Sequence, residues 1–282
     1  MRVVIAKHMG FCGGVRRAVD LALRAARNGQ GGASTWGPLI HNPQEVERLS
    51  REGVRVAQRP EELSGVFVVS AYGVESAVLE AVRQRGMEVV DATCPVVTRA
   101  HELAERLVEE GYFVVAVGDH GHPEMVTLKE KLGDRVAVVH TPEEVAALRL
   151  RGKVAVISQT TQSLENFRRI VADIVTRVKE TKVVNTLCPA ITVRQEEALR
   201  LVEEVDVLLV VGGRGSSNTT RLAEIGRQWG VATYHVETAD ELHPSWFSAD
   251  CTVGVMSGAS TPDWIIEQVL VRLDEIRTQL GG

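Results

Sequence analysis

The chain lacks the features that mark several large classes of protein. Asp and Glu outnumber Lys and Arg, and the formal net charge of -5 is opposite to the basic excess that general nucleic-acid binding requires. No apolar run approaches the ~20 residues that span a bilayer, and the apolar start of the chain is too short for a secretory signal. We therefore expect a soluble, cytoplasmic protein that binds neither nucleic acid nor a membrane.

Cysteine is scarce as well. The chain has four cysteines, Cys12, Cys94, Cys188 and Cys251, and none of them forms a C-x-x-C pair. This excludes a local zinc knuckle or a thioredoxin-like motif, and a cytosolic location argues against a disulfide framework. No G-x-G-x-x-G follows the first apolar run, which argues against a free-standing dinucleotide-binding fold. Cysteines that act together must therefore come from distant segments.

Short β-branched runs alternate with amphipathic stretches, and this alternation is the pattern of parallel α/β units. The runs predict strands at Val3–Ala6, Phe113–Val117, Val136–Val139, Val154–Ile157, Val207–Val211 and Thr252–Met256. The amphipathic stretches predict helices at Val15–Arg27, Arg99–Glu110, Glu143–Leu148, Ser163–Lys179 and Arg194–Glu203. The length suits roughly two domains or about three small lobes around a shared core.

An internal repeat favours three lobes. A shift of 94 residues places Cys94-Pro95 on Cys188-Pro189 and His122-Pro123-Glu124 on Ser216-Ser217-Asn218, and a shift of 82 places Cys12 on Cys94. With one inserted residue, His41-Asn42-Pro43 takes the place of His122-Pro123-Glu124. We predict three similar α/β lobes in a pseudo-threefold trefoil, covering approximately 1–90, 91–184 and 185–282, in which the C-terminal tail can complete the first lobe.

The repeated cysteines are candidate metal ligands. Cys12, Cys94 and Cys188 each precede a predicted helix, whose N–H groups and dipole favour a thiolate. Three thiolates suit a soft metal centre. Zinc would need a fourth ligand, such as His41 or His122. An iron–sulfur cluster held by three cysteines would keep one open iron. Cys251 lies in an apolar run and is predicted to be a core residue.

The polar loops of the repeat predict an anion site. Ser216-Ser217-Asn218 follows a glycine-bearing loop and precedes a helix, so that its N–H groups and side chains can bind a phosphate or diphosphate. Ser260, Thr160, His41 and His122 supply further donors. Glu124 is the one carboxylate in the aligned tripeptides, and beside a metal centre and an anion it would have a raised pKa suited to a general acid.

Eight short motifs match a known family in their order along the whole chain. They are Gly10-Phe11-Cys12-Gly13-Gly14-Val15, His41-Asn42-Pro43, Asp91-Ala92-Thr93-Cys94-Pro95, Gly121-His122-Pro123-Glu124, Gln159-Thr160-Thr161, Arg194-Gln195, Ser216-Ser217-Asn218 and Ser257-Gly258-Ala259-Ser260-Thr261-Pro262-Asp263. With these motifs the chain resembles the 4-hydroxy-3-methylbut-2-enyl diphosphate reductase (IspH/LytB) family, whose members catalyse the last step of the non-mevalonate isoprenoid pathway.

The resemblance implies a trefoil around a central [4Fe–4S] cluster and a reductive dehydroxylation that yields isopentenyl and dimethylallyl diphosphate. It implies that Cys12, Cys94 and Cys188 ligate the cluster, with one iron open to the substrate. It implies that Glu124 and Thr160, with His122, deliver protons. The implied residues for the allylic diphosphate are His41, Tyr72, His122, Thr160, Ser216, Ser217, Asn218 and Ser260. A ferredoxin or flavodoxin would donate electrons, and we expect a monomer.

The chain departs from the family pattern at a few positions. Tyr72 stands where the family usually has a histidine, Ile191 where it usually keeps a threonine, and Val193 is unusually apolar. Tyrosine can hydrogen-bond to a phosphate but cannot carry positive charge. Three readings therefore stay open: a working reductase with a variant pocket, a paralogue that acts on another substrate, and a non-catalytic metal protein that senses redox state.

Overall fold

The computed structural model describes residues 1–281 and contains three four-stranded sheets, all of whose strand pairs are parallel. The strands are β1 (Arg2–Ile5), β2 (Ala33–Trp36), β3 (Val54–Ala57), β4 (Val66–Val69), β5 (Val89–Asp91), β6 (Phe113–Val117), β7 (Val136–Val139), β8 (Lys153–Ser158), β9 (Glu180–Val183), β10 (Val207–Val211), β11 (Ala232–Val236) and β12 (Thr252–Ser257).

Ten α-helices flank these sheets within the described part of the chain. They are α1 (Gly13–Asn28), α2 (Pro43–Arg51), α3 (Ser76–Gln84), α4 (Pro95–Glu109), α5 (Pro123–Leu132), α6 (Pro142–Ala147), α7 (Leu164–Val175), α8 (Pro189–Leu201), α9 (Ser217–Gln228) and α10 (Asp263–Gly281). Five of them, α2, α4, α5, α6 and α8, begin with proline, whose fixed φ and missing N–H suit the first helical turn.

The three sheets share one strand order. They read β3-β2-β4-β5, β7-β6-β8-β9 and β11-β10-β12-β1. The predicted α/β class with three similar lobes is confirmed; its arrangement about a pseudo-threefold axis stays a prediction. The fourth strand of each sheet, β5, β9 or β1, is the strand that precedes one of the repeated cysteines.

The first strand belongs to the sheet at the other end of the sequence. β1 pairs in parallel with β12, with Arg2 opposite Thr252 and Ile5 opposite Val255. β1 therefore completes the sheet that β10, β11 and β12 form. The repeat instead predicts β1 within a first lobe covering 1–90, which the C-terminal tail can complete. The lobe boundaries 91–184 and 185–282 stay predictions.

The chain divides into two compact units. The terminal unit comprises Met1–Arg16, Ile40–Arg48 and the chain from Pro189 onward, and the central unit comprises Arg17–Leu39 and Leu49–Cys188. The β1–β12 sheet lies in the terminal unit, with Leu209 and Val255 packed on one face and Leu208 and Met256 on the other. The other two sheets lie in the central unit. The strands β6 and β10 are buried almost throughout, which explains why they read as continuous hydrophobic runs.

The repeat is confirmed by the element bounds, with one change. α4 and α8 begin 94 residues apart, as do β6 and β10, and α5 and α9. α1 and α4 begin 82 residues apart. In the first copy, however, Pro43 and Pro123 both open a helix, so Asn42 rather than His41 corresponds to His122. The alignment that places His41 on His122 is therefore wrong by one residue.

Candidate functional site

Each repeated cysteine directly precedes a helix. Cys12, Cys94 and Cys188 stand immediately before α1, α4 and α8, and Cys94 is the N-cap of its helix. None of the three forms a disulfide within residues 1–281, and all three are of intermediate exposure, whereas Cys251 is buried in the core of the terminal unit. All three positions therefore lie beside the unpaired N–H groups and the positive dipole end that the start of a helix presents.

The backbone holds the three cysteines in the same way. The Cys12 N–H donates to the carbonyl of Ala259 at 3.0 Å, and the Cys94 N–H to that of Ala71 at 2.9 Å. The Cys188 N–H donates to the carbonyl of Thr160, also at 2.9 Å. Each acceptor lies in the small polar loop after the third strand of its lobe. Each lobe thus ties one cysteine to the loop at the carboxyl ends of its strands, where ligands of α/β sheets collect.

This donor set fits an iron–sulfur cluster with three protein ligands. Three reduced, partly exposed thiols at helix starts supply the soft ligands that such clusters require. The fourth cysteine has relative exposure of only 8% and packs among apolar residues. Among residues 1–281, no three or more His, Cys, Asp and Glu side chains group closely enough to form a metal site as they stand. Ligation by these cysteines together therefore stays a prediction.

The terminal unit contains a cluster of buried polar side chains at the start of α9. Ser216 caps the helix by accepting the Thr219 N–H, and Ser217 is its first residue. Asn218 is 3% exposed, yet neither atom of its side-chain amide has a hydrogen-bond partner within residues 1–281. An unsatisfied buried amide costs about 1–3 kcal/mol. This amide is therefore best explained as a group that binds a ligand.

The same cluster includes Ser260 and His41. Ser260 Oγ donates to the His41 carbonyl at 3.2 Å and lies 3.5 Å from Ser216 Oγ. Gly213 makes this approach possible, because a Cβ at its position would lie 2.5 Å from the His41 carbonyl oxygen. Burial lowers the pKa of His41 to about 4, so its imidazole is neutral at pH 7. The predicted donors His41, Ser216, Ser217, Asn218 and Ser260 thus belong to one unit, and they are neutral.

Arg214 is the one cationic residue of the glycine-rich loop, and it forms ion pairs outside the polar cluster. The Arg214 guanidinium forms ion pairs with Glu237 and Glu241, and these carboxylates raise its pKa. The positive character of this cluster therefore comes from the N-terminus of α9 and from oriented hydroxyl and amide groups. Such a set suits a phosphate group held by hydrogen bonds.

We expect Ser216→Ala to weaken binding of inorganic diphosphate about tenfold, because it removes one donor to the anion, worth about 1.4 kcal/mol. Ser163 is the matched control, since it caps α7 with the same bond to the third helical N–H. Both alanine variants should lose about 1 kcal/mol of stability. Only Ser216→Ala should lose affinity in calorimetric titration, and equal losses would exclude a direct contact.

The central unit contains the carboxyl group predicted as the acid. Glu124 is 1% exposed, and its two oxygens accept the Thr160 N–H at 2.9 Å and the Thr160 hydroxyl at 2.8 Å. Burial raises the pKa of Glu124 to about 7, although the two bonds from Thr160 act in the opposite direction. A carboxyl group with this pKa can hold and release a proton near neutrality.

His122 and Tyr72 lie beside this acid in the same unit. His122 caps α5 by accepting the Glu124 N–H on Nδ1 at 3.2 Å. In the neutral imidazole Nε2 then carries the proton and can act as a donor. The Tyr72 ring meets the His122 ring edge-on at 5.5 Å between centroids. The structure thus brings together Tyr72, His122, Glu124 and Thr160 in the central unit.

Comparison with known proteins decides the family. The family model described as "LytB protein" matches residues 3–274. The chain belongs to the LytB family. It is 45% identical over 278 residues to the 4-hydroxy-3-methylbut-2-enyl diphosphate reductase of Aquifex aeolicus, covering 97% of this chain and 96% of the relative. It is also 45% identical over 283 residues to the protein of that name from Geobacter sulfurreducens, covering all of both chains.

Solved structures agree with this membership. A LytB-family structure described as (E)-4-hydroxy-3-methyl-but-2-enyl diphosphate reductase, the terminal enzyme of the non-mevalonate pathway, matches with a TM-score of 0.71 and 44% identity, covering 98% of this chain and all of the other. The reductase from Plasmodium falciparum matches with a TM-score of 0.91 and covers 96% of this chain and 87% of its own. At 22% identity the second comparison shows the shared fold alone.

Two residues beside these sites were not predicted from the sequence of this LytB-family chain. His101 in α4 is buried, and its Nε2 lies 3.1 Å from the Glu124 carbonyl oxygen. Gly10 adopts φ of 75°, and its carbonyl accepts a hydrogen bond from the buried Arg194 side chain at 3.0 Å. His101 occupies one of the buried, mostly apolar positions of α4, and this position was the signal that could have identified it. Of the departures, Ile191 is buried and Val193 is half-buried in α8.

Proposed function

We propose that this chain is a [4Fe–4S]-dependent 4-hydroxy-3-methylbut-2-enyl diphosphate reductase. The reaction removes the allylic hydroxyl as water and places hydrogen on the carbon skeleton, consuming two electrons and two protons and giving isopentenyl and dimethylallyl diphosphate. The observation that carries the proposal is Glu124, a buried carboxyl group whose two oxygens are both bonded to Thr160 and whose pKa is raised to about 7. Relatives of full length are named for this reaction, and Glu124 would supply the proton donor that it requires.

Cys12, Cys94 and Cys188 would hold the cluster. Their position at helix starts and their repeated backbone bonds support this assignment. When bound, the cluster supplies electron transfer and an open iron that acts as a Lewis acid toward the hydroxyl group. The protein supplies binding, orientation and protons.

The polar cluster at the start of α9 would bind the diphosphate. Ser216, Ser217 and Ser260 would donate through hydroxyl groups and Asn218 through its unpartnered amide. His41, His122, Thr160 and Tyr72 would add further donors. A diphosphate is an anion at neutral pH, and neutral oriented donors can hold it by hydrogen bonds without a formal positive charge.

Glu124 would deliver the proton that lets the hydroxyl group leave as water. Its hydrogen bond to the Thr160 hydroxyl offers a short route for that proton, since a hydroxyl group accepts one proton while it releases another. His122 accepts the Glu124 N–H on Nδ1 and would orient the substrate through its Nε2–H. Burial raises the pKa of Glu124 to about 7, so that a substantial fraction of the acid stays protonated near neutral pH.

The electron donor would be a ferredoxin or flavodoxin, and the protein would act in the cytoplasm as a monomer. Across residues 1–281, no helix combines the length and the apolar character needed to cross a membrane. This finding agrees with the absence of long apolar runs in the sequence.

The decisive experiment is anaerobic turnover of 4-hydroxy-3-methylbut-2-enyl diphosphate by cluster-reconstituted protein, followed by oxidation of a reduced viologen dye. We expect both isomeric products. A brown, redox-active protein that ignores this substrate would instead support the paralogue. A colourless protein that binds only zinc would support a non-catalytic metal protein.

Tyr72 departs from the usual family histidine, and its role in the pocket can be tested by substitution. Tyr72 is half-buried and lines a cavity of about 340 Å³ with Gly121 and Pro123, next to His122. We expect Tyr72→His, which restores the usual family residue, to keep turnover within about threefold. It should lower KM as the pH falls below ~6.5, where the imidazole becomes cationic. Tyr72→Phe keeps the aromatic ring and should show no such pH dependence. Loss of turnover of 4-hydroxy-3-methylbut-2-enyl diphosphate in Tyr72→His would show that histidine cannot replace tyrosine in this pocket.

A further inference from the structure

The outer face of α1 carries an unusual concentration of positive charge. Arg16, Arg17, Arg24 and Arg27 are all exposed, and Asp20 is the one exposed acidic residue of this helix. At 100° per residue these five side chains fall within an arc of about 100°. We call this surface the arginine face of α1. It stands out because the chain as a whole has a net charge of -5.

The corresponding helices of the other lobes provide an internal comparison. α4 and α8 follow Cys94 and Cys188 as α1 follows Cys12. The exposed charges of α4 balance, with Arg99 and Arg106 against Glu102 and Glu109. α8 exposes one arginine and one glutamate. The corresponding helices thus stay solvated with balanced charge. The excess of arginine on α1 is therefore not explained by solvation alone.

Arg17 of the arginine face contacts the segment that precedes Cys94. The Arg17 guanidinium donates to the carbonyl of Thr93 at 3.2 Å and to that of Asp91 at 3.3 Å. Thr93 is the residue directly before Cys94. α1 therefore begins next to one candidate cluster ligand and contacts the segment that leads to another. A molecule docked on Arg17 and the arginines that follow it in α1 would lie close to the segment that carries Cys94.

The charges on this face are only partly compensated. The Arg27 guanidinium lies 3.7 Å from the Glu52 carboxylate, and that of Arg16 lies 3.7 Å from Asp263. Both pairs are exposed and therefore weak in water. Arg24, between them along the helix, is exposed as well. The face extends over the 12 residues from Arg16 to Arg27, which span about 16 Å along the helix.

We propose that the arginine face of α1 is the docking surface for an acidic ferredoxin that delivers electrons to the cluster. This inference rests on the proposed function, which requires two electrons from outside the chain. Complementary charge accelerates encounter between proteins and orients the partners. The attraction acts through arginines on a helix that contacts the segment before Cys94, so it favours docking orientations with a short route for the electron.

The test compares two double variants with the same change in charge. Arg24→Glu with Arg27→Glu reverses the arginine face, and Arg99→Glu with Arg106→Glu makes the same change on α4. Each variant is assayed anaerobically with reduced ferredoxin of net negative charge and, separately, with reduced methyl viologen. Direct affinity for ferredoxin is measured by calorimetry at low and high salt.

We expect the α1 variant to raise the KM for ferredoxin and its dissociation constant at least tenfold at low salt and to flatten their salt dependence. Turnover with methyl viologen should be unchanged, and the α4 variant should change ferredoxin binding less than twofold. Equal losses in both variants, or no loss in the α1 variant, would overturn the docking surface. Absence of viologen-driven turnover in the unaltered protein would instead contradict the proposed function, while calorimetry would still test the docking.

Discussion

Replacing Glu124 by glutamine is expected to reduce turnover of 4-hydroxy-3-methylbut-2-enyl diphosphate by about 10²–10⁴-fold, the usual contribution of a general acid. Glutamine keeps the shape of the side chain, and its amide oxygen can still accept from Thr160, but it has no proton to give. The cluster should remain, because Glu124 is not among its proposed ligands. Iron content and visible absorbance are therefore measured with turnover. Glu130→Gln, on the same helix but exposed, is the matched control and should retain full activity.

The pH profile provides a second readout for Glu124. Because the protonated acid is the active form and its pKa is about 7, kcat should fall as the pH rises through that value. In Glu124→Gln the residual rate should lose this descending limb. A variant with the limb unchanged would show that another group supplies the proton.

The same substitution should stabilise the protein at high pH. Glu124 has a pKa of about 7 in the folded chain against an ordinary 4.5, so the folded state binds the proton more tightly. Its contribution is fully present below pH 4.5 and is lost as the pH rises through 7. At 1.36 kcal/mol for each of about 2.5 pH units, the ionised folded form is disfavoured by roughly 3 kcal/mol. Urea unfolding at pH 6 and 8 should therefore show a decline in stability for the unaltered protein and a flatter response for Glu124→Gln.

Much of this fold follows from hydrophobic pattern and repetition. Phe113–Val117 and Val207–Val211 were predicted as strands with their observed bounds, because continuous β-branched runs suit strands that are buried on both faces. The helices after the cysteines were placed correctly but began earlier than expected. α8 starts at Pro189 rather than Arg194 because proline opens a helix readily, whereas an apolar periodicity reveals only the residues after it.

Other strands lack a sequence pattern clear enough to predict them. β2 reads Ala-Ser-Thr-Trp and β5 has only three residues, so neither forms an apolar run. The pairing of β1 with β12 joins segments about 250 residues apart in sequence, and no local pattern specifies such a partner. These elements depend on tertiary contacts rather than on their own propensity.

The sequence identified candidate residues by their chemistry, but it did not predict the hydrogen bonds that position them. Residue types identified the cysteines, Glu124 and the donors near Ser216. The bonds that hold them largely use backbone groups, such as the carbonyls of Ala259, Ala71 and Thr160 that accept from the three cysteines. Any residue can supply a carbonyl, so these contacts leave no mark in the sequence. His101 was missed for the same reason, because its partner is the Glu124 carbonyl oxygen.

The largest effect is expected from loss of a single cluster ligand. Cys12→Ala, Cys94→Ala and Cys188→Ala should each reduce bound iron and sulfide to near background after anaerobic reconstitution and abolish turnover, because two thiolates cannot retain the cluster. Cys251→Ala is the matched control: this side chain is 8% exposed within the apolar core of the terminal unit, and its loss should cost some stability but no iron. Retained iron in one of the three variants would remove that cysteine from the ligand set, and lost iron in the folded Cys251 variant would add a fourth. Because the three ligands come from three repeats with the same backbone bond, their variants should fail alike, and a graded series would argue against equivalent ligation.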